Sequence, residues 1–146
     1  MGFGRGFGGA PSKTDGGLKK IRAIRENALA ADINIGSKDI KNGALSRTVS
    51  GTIRDTMVFT DVDALARDLN LNIGDEFDFK MYINNPNRGT HSLRMPNPRD
   101  VSGLLYYGNL RGLGPVTEGS CIHEFNFFYI KRGKMAITIS KADLVT

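Results

Sequence analysis

The chain has 146 residues, one cysteine and a formal net charge of +5. That length suits one domain with a real core, no apolar run approaches the roughly 20 residues a membrane span needs, and a lone Cys121 excludes an intramolecular disulfide. The charge is uneven: residues 1–25 carry six basic groups and one acidic, whereas the rest of the chain carries 14 of each.

Residues 1–17, "MGFGRGFGGAPSKTDGG", hold seven glycines and too little apolar surface to fold alone, so they read as a flexible arm. This end lacks the apolar stretch of a signal peptide, and synthesis in the cytoplasm is expected. From Leu18 to Asp32, Leu18, Ile21, Ile24 or Arg25, Ala28 and Leu29 follow helical spacing, and four alanines add intrinsic preference. An N-terminal helix is therefore expected there. Residues 33–46, with Gly36, Asn42 and Gly43, read as linker.

From Arg47 onward β-branched residues near-alternate, and "RTVSGTIRDTMVF" predicts one or two strands with Gly51 at a bulge or turn. Thr60 or Asp61 caps a short internal helix whose buried stripe is Val62, Leu65, Ala66 and Leu69. Gly74 turns the chain into a strand in which Phe77, Phe79, Met81 and Ile83 share one inner face. Residues 84–102 hold three of the five prolines and read as a long irregular loop. "GLLYYG" (103–108) predicts a short strand, and 109–120 a glycine-rich connection. "CIHEFNFFYIK" (121–131) predicts a strong strand, paired through an "RGK" turn with "MAITIS" (135–140). Ser140 is a candidate cap for a last turn, "KADLV". The fold class expected is mainly β, barrel- or sandwich-like with some α+β character. It comprises an arm (1–17), a helix and linker (18–46) and a β-rich domain (47–146).

"GFGRGFGG" has no preceding strand and so is not a phosphate loop. It resembles the arginine-glycine-phenylalanine tracts of RNA-binding tails, which implies phosphate contact by Arg5 and base stacking by Phe3 and Phe7. Equally, glycines let an arm thread between neighbouring subunits while Phe3 and Phe7 anchor in apolar pockets. "LNLNIGDEFDF" (69–79) resembles the helix–turn–strand element of swapped-hairpin transition-state regulators, through Leu69, Leu71, Gly74, Asp75, Phe77 and Phe79. A helix-to-strand turn at Gly-Asp accounts for the same residues.

Chemistry-bearing groups are few. Cys121 and His123 lie two apart on one strand face, and His91 is the other histidine. No spacing signature joins them into a metal site, and two same-face positions on one strand are poorly placed as a nucleophile–base pair. Core packing is the simpler expectation for Cys121, and a hydrogen-bonded half-buried role for His123. Neither an enzyme nor a cofactor is expected.

Two classes of function fit these features. The first is an assembly subunit, such as a small bacteriophage virion protein (capsid decoration, minor capsid or head–tail connector). It would be made in the host cytoplasm, form a homo-oligomer or part of a larger complex, and lace onto neighbours through its arm. The second is a cytoplasmic nucleic-acid-binding module with a basic arm. In both, the partner-binding residues are Phe3, Arg5, Phe7, Lys19, Lys20, Arg22 and Arg25, and no membrane is involved. The first is the expectation carried forward.

Overall fold

A computed structural model of the chain describes residues 23–27, 31–108 and 114–143. In chain order the elements are β1 (Ala23–Asn27), β2 (Asn34–Ile35), α1 (Ser37–Lys41), β3 (Gly43–Thr48), β4 (Thr52–Met57), α2 (Val62–Asp68), β5 (Glu76–Asn84), β6 (Thr90–Arg94), β7 (Leu104–Gly108), β8 (Val116–Thr117), β9 (Cys121–Lys131) and β10 (Lys134–Asp143). The protein is mainly β, with two sheets. The larger runs β1-β3-β5-β9-β10-β7 and the smaller β2-β4-β6-β8.

The chain alternates between the sheets as far as β9. The first six strands therefore pair not with a neighbour in sequence but with the next but one, β1, β3 and β5 being parallel in one sheet and β2, β4 and β6 in the other, whereas β7 pairs with β10. The long strands β9 and β10 then form an antiparallel hairpin beside β5. Inward-facing residues of both sheets join one core. From the larger come Leu45, Phe79, Met81, Ile83, Phe125, Phe127, Met135 and Ile137, and from the smaller Ile35, Ile53, Met57 and Leu93. The Phe79 and Phe125 rings sit 5.7 Å apart and tilted, a favourable aromatic arrangement.

The internal helix forms as expected. Asp61 caps α2 by accepting from the Ala64 amide at 2.7 Å, and Val62, Leu65, Ala66 and Leu69 are buried. Asp63 in its first turn ties the helix to the β9–β10 hairpin, accepting from the Tyr129 hydroxyl and the Gly133 amide, each at 2.7 Å. Gly74 takes φ +94° at the turn into β5. Where β7 starts, Gly103 approaches the same hairpin so closely that a Cβ there would lie 1.7 Å from the Gly133 carbonyl oxygen.

Four expectations need correction. Ala23–Asn27, placed in an N-terminal helix, is an edge strand parallel to β3. The apolar spacing of 18–32 and its alanines, three of them beyond this strand, favour helix locally, but the open edge of β3 offers Ala23–Asn27 a ladder of backbone hydrogen bonds. The rest of that predicted helix lies outside the described residues, apart from Ala31 and Asp32, which are not helical. The linker 33–46 holds β2, α1 and the start of β3. The loop 84–102 holds β6, a strand hidden in sequence by flanking prolines. The turn expected after Ser140 is strand through Asp143, held by pairing with His123, Ile122 and Cys121.

Candidate functional site

Where the two sheets meet, the core contains a polar cluster. Arg47 (β3), Asp55 (β4) and His91 (β6) have no solvent exposure. The alternation that buries Leu45, Val49, Ile53 and Met57 also turns Arg47 and Asp55 inward. Arg47 donates to the Asp55 carboxylate in fork geometry, Nε to Oδ2 at 2.9 Å and Nη2 to Oδ1 at 3.1 Å. Nη2 also donates to the Ala31 carbonyl. His91 Nε2 donates to Asp55 Oδ2 at 2.9 Å, and the Ile33 amide donates to Oδ1 at 3.0 Å. Burial alone would raise the Asp55 pKa. Hydrogen bonds from His91, Arg47 and Ile33, with the Arg47 charge, outweigh it and hold the carboxyl below its usual range.

Cys121 and His123 extend the cluster from β9. Both are fully buried, with Sγ 3.6 Å from Nε2. Burial pushes the thiol pKa up. Burial, with His91 and Lys141 nearby, pushes the imidazole down to about 4. The pair is thus a neutral thiol beside a neutral imidazole, walled off from solvent, which is neither an activated nucleophile nor an accessible base. The fold brings the two histidines and the cysteine to one end of the core, but not into a cleft. Among the described residues, no group of three or more His, Cys, Asp or Glu side chains could hold a metal ion. This cluster clamps the sheets together.

The surfaces offer more. On the larger sheet's outer face, Phe128, Ala136 and Leu105 form one cross-strand row over β9, β10 and β7. The next row runs Asp78, Asn126, Thr138, Tyr107. Glu76, Asp78 and Glu124 are exposed there, and Lys80 is half-buried. The outer face of the smaller sheet carries Thr52, Arg54, Thr56, Thr90, Ser92, Arg94 and Val116. Three exposed carboxylates, with Lys80 among them, thus lie on the outer face of the larger sheet, and two arginines on that of the smaller. A groove of about 700 Å³ lies at one pole, where Arg88 and Lys141 are balanced by Glu118 and Asp143.

The sheet edges differ in kind. β2 and β8 are two residues each, and β1 carries Arg25 and Glu26. The β7 edge, Leu104-Leu105-Tyr106-Tyr107-Gly108, carries no charge, has β10 as its only described neighbour, and leaves Tyr107 54% exposed.

Of the partner-binding residues expected from sequence, Phe3, Arg5, Phe7, Lys19, Lys20 and Arg22 lie outside the described residues. Arg25 is on β1, and its guanidinium pairs with Asp39 at 3.0 Å, so its charge is already answered within the chain. Among the described residues, no helix is long and apolar enough to cross a membrane. Comparison with protein-family models, curated proteins and solved structures finds no match.

Proposed function

We propose that the protein is a structural assembly subunit, of the kind found in a small bacteriophage virion as a capsid decoration, minor capsid or head–tail connector component. The observation that carries this reading is the β7 edge. An exposed edge strand presents a row of unpaired N–H and C=O groups, and folded proteins normally blunt it with charge, proline or brevity. The other edges here are short or charged, whereas β7 is five residues long, apolar and uncharged. Such an edge suits the addition of an extended segment from another chain.

The segment that fits is the N-terminal arm of a second copy. In an extended arm, Phe3, Arg5 and Phe7 alternate onto one side. The receiving face supplies Leu105, Tyr107 and Phe128 for the rings, and acidic residues at the β5 end of the same rows for the arginine. Ordering a glycine-rich arm costs entropy, so docking depends on the buried phenylalanines and the main-chain ladder together.

Light scattering on the full chain, on a form lacking residues 1–17, and on Tyr107→Lys tests the proposal. The full chain is expected to self-associate, and both variants to be monomeric with unchanged circular dichroism. A monomeric full chain, or variants that assemble like it, would overturn the reading.

A further inference from the structure

We infer that the outer face of the four-stranded sheet is a sequence-independent contact surface for the phosphate backbone of duplex nucleic acid. Arg54 and Arg94 are both exposed there, on the adjacent parallel strands β4 and β6. The register pairs Arg54 with Ser92 and Thr56 with Arg94. The two guanidinium-bearing positions are thus diagonal neighbours, on the order of 7–8 Å apart. They line a shallow cavity of about 270 Å³ together with Ser92, Gly114 and Val116. Neither guanidinium has a hydrogen-bond or ion-pair partner among the described residues, in contrast to Arg47 and Arg25.

The surroundings suit an anion. The other outward positions of β4 and β6 are Thr52, Thr56, Thr90 and Ser92, four hydroxyls that can donate to phosphate oxygens. No acidic residue occupies an outward strand position of this sheet. Asp32 accepts from the Arg54 backbone amide at 2.7 Å, and no ion pair joins it to the Arg54 guanidinium among the described residues. Charge segregation strengthens the case, because Glu76, Asp78 and Glu124 lie on the opposite face of the molecule and do not cancel the field on this one. Among the described residues no exposed aromatic ring occupies an outward position of this sheet, so these strands offer no platform for stacking the bases of a single strand. Arginines and hydroxyls spread over one sheet face match a duplex backbone instead. This surface lies on the other sheet from the β7 edge, and the inference stands whether or not the chain assembles through that edge.

The experiment is an anisotropy titration of a short labelled DNA duplex with the full chain, at several salt concentrations. It compares wild type, Arg54→Gln/Arg94→Gln, Lys80→Gln on the opposite face, and Arg5→Gln/Lys19→Gln/Lys20→Gln at the N-terminus. Removing two phosphate contacts is expected to weaken binding by roughly tenfold at low salt and to flatten the log–log salt slope by about 2. Lys80→Gln should bind like wild type, and both arginine substitutions are at exposed positions that leave the fold intact. An absence of binding by wild type at low salt overturns the inference. So does a double variant with wild-type affinity and slope, or a loss confined to the N-terminal variant.

Discussion

Arg47 on the six-stranded sheet and Asp55 on the four-stranded sheet meet at 2.9 Å with both side chains fully out of water. The pair lies inside the core and joins the two layers. Desolvating two charges is costly, and their attraction repays it only when the remaining donors and acceptors are satisfied. Here Asp55 accepts four hydrogen bonds, two from Arg47 and one each from His91 and Ile33. Asp55→Ala leaves a buried guanidinium without its carboxylate and should destabilise the protein by about 3–5 kcal/mol. Arg47→Met/Asp55→Leu removes both charges and should lie closer to wild type than Asp55→Ala. Urea unfolding of the variants checks this. An Asp55→Ala protein within about 1 kcal/mol of wild type would show that the clamp is not structural.

The same cluster sets a pH dependence. In the unfolded chain His123 takes up its proton as pH falls through 6.5, whereas in the folded protein it stays neutral down to about 4. The unfolded state binds more protons in that window, so stability falls as pH drops from 6.5 towards 4, by about 3 kcal/mol for this group. Asp55 adds a loss at lower pH. Its folded pKa lies below 3.8, so the stability it contributes is present above that value and disappears as the carboxylate is protonated. Denaturation midpoints at pH 7 and pH 4.5 should differ more for wild type than for His123→Gln. Equal shifts in the two proteins would remove His123 from the account.

Cys121 should behave as a core residue. Its thiol is fully buried, and burial holds its pKa up, so the reactive thiolate is scarce and inaccessible. An aromatic disulfide reagent is expected to leave the native protein unlabelled and to react once per chain in denaturant. Rapid labelling of the native protein at neutral pH would contradict this placement.

The long periodic segments of the sequence speak for themselves. Phe77, Phe79, Met81 and Ile83 alternate cleanly, as do residues 121–131, and the structure makes both strands with those faces inward. The buried cluster was also partly legible: Arg47 and Asp55 share the parity of Val49, Ile53 and Met57, whereas His91 lies in a stretch that reads as loop. Parity places Arg47 and Asp55 inside but says nothing about which strands face one another, and that depends on a chain path that switches sheet at each strand from β1 to β9. Short elements were beyond reach. β2 and β8 are two residues each, and β1 exists only because β3 offers it an edge. The basic sheet face was hidden for a different reason. Net charge sums over the whole surface, and Arg54 and Arg94 are far apart in sequence, so only the β4–β6 register brings them together.

The contact between β7 and the hairpin gives the last test. Gly103 has φ +88°, a conformation that residues with side chains rarely adopt, and a Cβ there would lie 1.7 Å from the Gly133 carbonyl oxygen. The neighbour is backbone in a two-residue turn, so it cannot rotate away as a flexible side chain would. The Gly103 carbonyl also accepts from the Met135 amide at 3.0 Å, the bond that starts the β7–β10 ladder. Gly103→Ala therefore adds a clash to a backbone cost of about 1–3 kcal/mol, and the damage falls on the edge strand proposed to receive a neighbouring arm. Gly119→Ala is the matched control, because a Cβ there meets nothing within 4 Å and no positive φ is involved. Thermal unfolding should show a large loss for Gly103→Ala and a shift close to zero for Gly119→Ala. Light scattering should show weakened self-association for Gly103→Ala alone, measured well below its unfolding temperature. Equal stability of the two variants would mean that β7 does not dock on the hairpin as described.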